Sequence, residues 1–477
     1  MNRKRKVDDE EKFIIPPPSF PIPPSGVMTL STSTRKTQED RPLSQMKKEN
    51  PNHSHTTPVR IEKLVPGGNG LGHLDDSVVF VPLTAPGDLV SVREVRRRRG
   101  VYFAEPDKVI ESAPERRNPP CPWFGRCGGC QWMHMDYGYQ IRWKEDIFRQ
   151  ALRGIAHLKE EPSILVHPAP SEFQYRFRAR LQIKGSVVGF FRRGSNRIVP
   201  WDQCMLLPEA LNSVVKDLRG WFKSNRAPQS LKSCEIALSP VDGSVTLNWV
   251  FDTVKGISGA ARTIMDGIEG ILAGEKMKIA GQAAQDSNGM TIEARGGSLP
   301  LEVDRVRMSA SPGTFFQVNP DVNEILLKRV LTHLRSMGSH SLLDLYCGNG
   351  NFSLPAAASG MKAVGVESSP GAVADASSVA GAGCRFIEMD TSSFLTQDSE
   401  SRDAVIVDPP RKGLPQNVVD LLGTKRIPLL VYVSCEPPTL ARDLARLTEA
   451  GYVIGSIELF DMFPQTSHSE ALVVMKG

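Results

Sequence analysis

Cys435 closes the apolar run Pro428-Leu-Leu-Val-Tyr-Val-Ser434 and opens the turn Cys435-Glu436-Pro437-Pro438. Glu470 follows 35 residues later, in Phe463-Pro-Gln-Thr-Ser-His-Ser-Glu470. A thiol nucleophile paired with a carboxylate base suits covalent catalysis at an electron-poor carbon. Each residue also has a plainer reading. A free cysteine is often a small buried hydrophobe, and a glutamate before the final apolar run Ala471-Leu-Val-Val-Met475 can be a solvated charge. The chemical reading requires other functional groups at the same edge of the same sheet.

Two further strand ends supply them. Ser341-Leu-Leu-Asp-Leu-Tyr346 runs into Cys347-Gly-Asn-Gly-Asn-Phe352 and a helix-like stretch, and Asp403-Ala-Val-Ile-Val407 runs into Asp408-Pro-Pro-Arg411. Short apolar runs separated by helical stretches predict a parallel sheet buried on both faces. Ligands of such open sheets bind beyond the carboxyl ends of the strands. Three polar strand ends therefore converge on one crevice.

The glycine loop alone indicates only a tight strand-to-helix turn. Glu367 ends the next run, Ala363-Val-Gly-Val-Glu367, and an acidic residue about 20 positions after such a loop is placed to accept from ribose hydroxyls. Ser353 stands where a dinucleotide fingerprint has its third glycine. A pyrophosphate is thus disfavoured, and a nucleoside ligand such as S-adenosylmethionine is favoured. Asp390 follows Arg385-Phe-Ile-Glu-Met389, where it can face an adenine or serve as an ordinary loop residue.

Leu343-Asp-Leu-Tyr-Cys-Gly-Asn-Gly-Asn-Phe352, Val407-Asp-Pro-Pro-Arg-Lys-Gly413, Tyr432-Val-Ser-Cys-Glu-Pro-Pro438 and Asp461-Met-Phe-Pro-Gln-Thr-Ser-His-Ser-Glu470 resemble the RNA 5-methyluridine methyltransferases, as does Gly313-Thr-Phe-Phe-Gln-Val-Asn319. The resemblance runs in consistent order from about residue 58 to 477. It implies a Rossmann-like class I methyltransferase sheet of α/β class. It implies a cofactor pocket of Gln317, Tyr346, Asn351, Glu367, Asp390 and Asp408, with Cys435 as nucleophile and Glu470 as base. Asp390 stands where some members carry Asn, and Tyr346 where many carry Phe.

These residue types suit methylation of uracil at C5. A thiolate adding to C6 turns the ring into an enolate. C5 then takes the methyl group from the sulfonium, a base removes the C5 proton, and elimination releases the cysteine. Asp408 and Gln317 are of the types needed to hold the pyrimidine. A free thiol has a pKa near 8.5, so its ionisation must be favoured or coupled to attack.

A second constellation is Cys121-Pro-Trp-Phe-Gly-Arg-Cys127-Gly-Gly-Cys130, spaced C-x5-C-x2-C, with Cys204 far downstream. Four thiolates suit a [4Fe–4S] cluster or tetrahedral zinc, although zinc sites usually present two short pairs. A disulfide framework does not fit eight cysteines in a long chain with no secretory segment. The resemblance implies a cluster held by Cys121, Cys127, Cys130 and Cys204. Cys234, Cys347 and Cys384 read as packing residues. Methyl transfer is redox-neutral, so a structural or RNA-positioning role is expected for the cluster.

The chain of 477 residues has a formal charge of only +5, which by itself does not require a nucleic-acid partner. Residues 1–57 are proline-rich and read as a disordered tail. Residues 58–116 have short strands and glycine turns, predicting an OB-like β-barrel, and they resemble a TRAM module. Residues 117–311 read as the cysteine segment and a central α+β domain, and 312–477 as the methyltransferase domain. Trp143, Ile147, Ala151 and Ile155 follow helical spacing. The run Phe173 to Lys184 alternates with period 2 and predicts a strand presenting Arg176, Arg178 and Arg180 as a basic face for RNA. Arginines also concentrate between Arg93 and Arg99. No run reaches transmembrane length, so the expectation is a cytoplasmic, monomeric enzyme acting on RNA. The resemblance favours 23S ribosomal RNA as substrate, because the barrel and cysteine cluster accompany those members and the transfer-RNA members tend to lack both. A transfer-RNA enzyme, a DNA methyltransferase and a non-catalytic assembly factor are the competing readings.

Overall fold

The computed structural model describes residues 58–477 except 99, 157–161, 253–256 and 276. The expected tail lies outside the described residues.

Apolar runs of four to six residues, each followed by a polar turn and a helix, pair as parallel strands. Cys384–Glu388, Lys362–Glu367, Ser341–Leu345, Ala404–Val407 and Leu429–Ser434 lie side by side in that order. Glu470–Lys476 then adds antiparallel, Val453–Phe460 pairs with it, and Ile164–His167 closes the edge of an eight-stranded sheet. Alternate side chains enter two cores. Leu343, Leu345, Val405, Val407, Leu430 and Tyr432 pack on one face against the helices Gln416–Lys425 and Pro437–Glu449. Leu342, Ala404, Ile406, Leu429 and Val431 pack on the other against the helix Pro320–Ser336. From Ser341–Leu345 the chain winds first to one side and then returns to the other with Ala404–Val407. The crevice at that reversal is where open sheets bind ligands.

The sheet draws in residues that the sequence reading assigned elsewhere. Ile164–His167 falls within the expected central domain, yet it pairs with Val453–Phe460. The helix Tyr137–Ile155 packs on the helix Pro437–Glu449 and places Phe148, Ala151 and Leu152 in the methyltransferase core. The hairpin Leu299–Val303 and Val306–Ala310 joins the opposite core. The helix also turns differently from the expected stripe: Ile147 and Ala151 are buried, Trp143 is half-buried and Ile155 is exposed. Lys144 and Gln140 are buried in their place, because polar partners await them.

Between these pieces, a seven-stranded sheet carries the helices Glu209–Ser224 and Ile257–Gly274 over its own core. Its strand Arg178–Lys184 corrects the expected basic face. Glu235, on the neighbouring strand, sits opposite Arg180 in register. Its buried carboxylate pairs with both Arg178 and Arg180, so the ladder offsets one of their two positive charges and leaves Arg178 half-buried, while Arg180 stays exposed. Arg176 precedes the strand. Residues 59–111 form a closed five-stranded barrel, as the strand and turn spacing requires.

Candidate active site

Ser434 pairs with Ala471 at the end of the antiparallel ladder. Cys435 follows Ser434 in the turn beyond the strand and Glu470 precedes Ala471, so the ladder's end brings the two close enough for the Glu470 charge to act on the thiol. Cys435 is half-buried and Glu470 is 3 % exposed. Burial, reinforced by the Glu470 charge, pushes the Cys435 thiol up to about 12. Burial likewise holds the Glu470 carboxyl well above its ordinary range, with the Asp408 charge adding to the effect. Asp408, at the end of Ala404–Val407, is pushed up to about 7, chiefly by desolvation and then by Asp344. The Arg411 guanidinium opposes the shift at both Cys435 and Glu470. The site therefore rests with a neutral thiol beside two carboxyls held above their ordinary range.

The glycine loop is built by left-handed backbone. Tyr346 has φ +62°, Gly348 +53° and Gly350 +88°. The first is uncommon for a residue with a side chain. At Gly350 a Cβ would come within 2.9 Å of Leu354 and Phe386. Glu367 accepts from the Gly348 amide at 3.2 Å and the Ser369 amide at 2.8 Å, fixing the loop to the next strand. Asn351 and Asn323 exchange two hydrogen bonds, at 2.8 and 3.0 Å. Asp390 is exposed, and its carboxylate caps the helix Thr391–Gln397 by accepting from the Ser393 amide at 3.1 Å. Gln317 is half-buried two residues before Asn319, the cap of the helix Pro320–Ser336. Among the described residues, no hydrogen bond links Gln317 to the others.

Several supporting residues escaped sequence reasoning. Asp344 is fully buried in mid-strand, accepts from Ser353, and has one carboxyl oxygen with no protein partner. Burial pushes it up to about 7. An aspartate inside an apolar strand was its available signal. Asp443 is fully buried and accepts from the Tyr432 hydroxyl and the Leu414 amide, each at 2.8 Å. It thereby anchors the Arg411 loop to the strand of Cys435. His468 is half-buried and pushed down to about 4 by burial, so it is neutral at ordinary pH.

Cys121, Cys127, Cys130 and Cys204 line one cavity with Arg176 and Trp201. Burial raises Cys127 and Cys130 and pushes Cys204 up to about 11, while Arg176 acts in the opposite direction on each. Four converging thiols with one adjacent guanidinium form a donor set suited to a cationic group. As placed among the described residues, no three His, Cys, Asp or Glu side chains form a grouping able to hold a metal ion. Cys234, Cys347 and Cys384 are buried in the cores.

The sequence profile of the tRNA (uracil-5-)-methyltransferase family matches residues 274–385 and 393–477. An uncharacterized RNA methyltransferase of Aquifex aeolicus is 33 % identical over 425 residues, 88 % of this chain and 98 % of its own length. The 23S rRNA (uracil(1939)-C(5))-methyltransferase of Shewanella amazonensis is 30 % identical over 91 % of this chain and 99 % of its own. Among solved structures, the Pyrococcus abyssi tRNA (uracil-54, C5)-methyltransferase in complex with S-adenosyl-L-homocysteine superposes with a TM-score of 0.71 at 24 % identity, covering 89 % of this chain and all of its own. Strand order, crevice and sequence agree: this chain belongs to the S-adenosylmethionine-dependent RNA uracil-C5 methyltransferases.

Proposed function

We propose that the protein methylates C5 of a uridine in 23S ribosomal RNA, with Cys435 as nucleophile and Glu470 as base. The observation that carries this is the meeting of Cys435 and Glu470 just beyond the Ser434–Ala471 end of one ladder, where the Glu470 charge acts on the thiol, beside the crevice of the parallel sheet. The thiol rests neutral, so its proton leaves as sulfur adds to C6. Asp408, titrating near neutrality, takes that proton, and the C5=C6 pair moves to the enolate oxygen. C5 displaces the methyl group from the sulfonium, releasing S-adenosylhomocysteine. Glu470 then takes the C5 proton, the C5=C6 bond returns, and the C6–S bond breaks with its pair on sulfur. Asp408 returns the first proton to the thiolate.

Tyr346, Asn351, Glu367 and Asp390 line the cofactor's side of the crevice, and Gln317 meets the pyrimidine together with Asp408. In its ligand-free arrangement Glu367 is bound to loop amides, and ribose hydroxyls would donate to the same carboxylate.

The four thiols around one cavity support a polynuclear iron–sulfur cluster. Tetrahedral zinc could use the same four thiols, but the C-x5-C-x2-C spacing with a distant Cys204 lacks the two short pairs usual for zinc. Cys121, Cys127, Cys130 and Cys204 would hold such a cluster through their thiolates, which would cross-link the segment 121–130 to Cys204.

Full-length relatives named for 23S rRNA support the ribosomal substrate. The layout does not separate the two substrate classes, because a transfer-RNA enzyme superposes over 89 % of this chain. Mapping 5-methyluridine in ribosomal and transfer RNA from a deletion strain tests the assignment. Loss confined to transfer RNA refutes the ribosomal substrate.

A further inference from the structure

Gln465 lies five residues before Glu470, fully buried and at φ +69°. Its surroundings hold that unusual backbone from every side. Its carbonyl accepts from the amides of Gln131 at 3.1 Å and Trp132 at 3.0 Å, the two residues after Cys130. Its amide donates to Gln140 Oε1 at 3.0 Å. Its side-chain oxygen accepts from Gln140 Nε2 at 3.0 Å and Arg117 at 3.2 Å. Its Nε2 donates at 2.9 Å to Glu172, which also pairs with Arg117 at 2.7 Å.

The neighbouring residues are tied to the same segment. The Tyr175 hydroxyl donates to the Pro464 carbonyl at 2.9 Å. Lys144 donates to the Phe463 carbonyl at 3.0 Å and forms a buried ion pair with Asp461. All these partners lie between Arg117 and Tyr175, outside the strand pair that carries Glu470. Among the described residues, no hydrogen bond holds the Glu470 carboxyl itself. Glu470 opens the strand Glu470–Lys476 and pairs with Phe460, and the loop 461–469 that joins these two residues is fixed by the cysteine-bearing segment. A buried position whose backbone and side-chain polar groups are all paired, as those of Gln465 are, favours one arrangement.

We propose that Gln465 is a positioning residue for proton removal, transmitting the placement of the segment after Cys130 to the Glu470 carboxylate. The proposal rests on the reading of Glu470 as base. In the step concerned, the C5–H pair reforms the C5=C6 bond, the proton passes to Glu470, and the C6–S bond breaks toward sulfur. The preceding methyl displacement needs only the sulfur adduct and the sulfonium. Disturbing Gln465 thus slows release of the adduct and leaves its formation unchanged.

The test uses the full chain, labelled S-adenosylmethionine and unmodified ribosomal RNA in single turnover. The variants are Gln465→Glu, which replaces the donor to Glu172 with an acceptor, and Glu172→Ala, at a residue exposed enough to tolerate truncation. Glu470→Gln runs in parallel. Methylated, denaturant-resistant protein–RNA adduct is scored against released 5-methyluridine RNA. Expected are an unchanged rate of adduct formation and a release slowed by about 10- to 100-fold in both variants, the usual cost of a misplaced group. Equal slowing of both steps, or normal release in Glu172→Ala and Gln465→Glu, overturns the positioning role. If Glu470→Gln traps the adduct while those variants do not, only the positioning role falls. If Glu470→Gln also releases normally, the base assignment falls and the proposal with it.

Discussion

Cys435 directly follows Ser434 and Glu470 directly precedes Ala471, and Ser434–Ala471 is the last pair of the ladder where the parallel sheet meets its antiparallel edge. Glu470 lies on the strand Glu470–Lys476 and Cys435 in the turn beyond its neighbour, and the Glu470 charge acts on the thiol. Replacing Cys435 with Ala should lower methyl transfer by on the order of 10⁴-fold or more, the scale seen when a nucleophile is removed, with cofactor binding retained in equilibrium dialysis. Glu470→Gln should instead trap a covalent protein–RNA species on denaturing gels.

The pH dependence follows from the raised carboxyls. Asp408 is pushed up to about 7, and Glu470 is also raised, by burial and by the Asp408 charge. A base must be ionised to act, and a raised pKa keeps it protonated at lower pH. Single-turnover rates should therefore rise with pH through neutrality. Asp408→Asn removes the like charge, so the inflection of its residual activity should move to lower pH. An unmoved inflection would count against coupling of the two acids.

Glu367 links the Gly348 and Ser369 amides, and the proposed cofactor occupies the same carboxylate. Charge-assisted hydrogen bonds contribute about 1.5–3 kcal/mol each. Glu367→Ala should weaken S-adenosylmethionine binding by about 10- to 100-fold, measured by titration calorimetry. Adduct formation at saturating cofactor should change much less.

The cysteine cavity makes an analytical prediction. Anaerobically purified protein should contain iron and sulfide and absorb in the visible, and Cys127→Ser should lose that absorbance. Zinc in place of iron would overturn the cluster assignment. Chelation should also lower the melting temperature, because Arg117, Gln131 and Trp132 tie the cysteine segment to the loop of Gln465.

Much of the site was legible in the chain. Apolar runs ending in Tyr346, Asp408 and Cys435 are local signals, because a strand buried on both faces must be apolar and its functional residues must come at its end. The strands Ser341–Leu345, Ala404–Val407 and Leu429–Ser434 follow that pattern. The cysteine spacing likewise marked four thiols that the fold gathers around one cavity.

Tertiary structure alone decided which distant residues complete these elements. Arg178 and Arg180 looked like a free basic face because their acid, Glu235, lies more than fifty residues away in sequence and meets them only across a ladder. Lys144 and Gln140 broke the expected helical stripe because Asp461 and Gln465 wait more than three hundred residues downstream. The protonation state of the Cys435 thiol also belongs to the folded protein, since burial and the Glu470 charge set it. Sequence thus determined which groups are present and on which strand ends. Long-range pairing and exclusion of water determined their charge, their partners and what holds them in place.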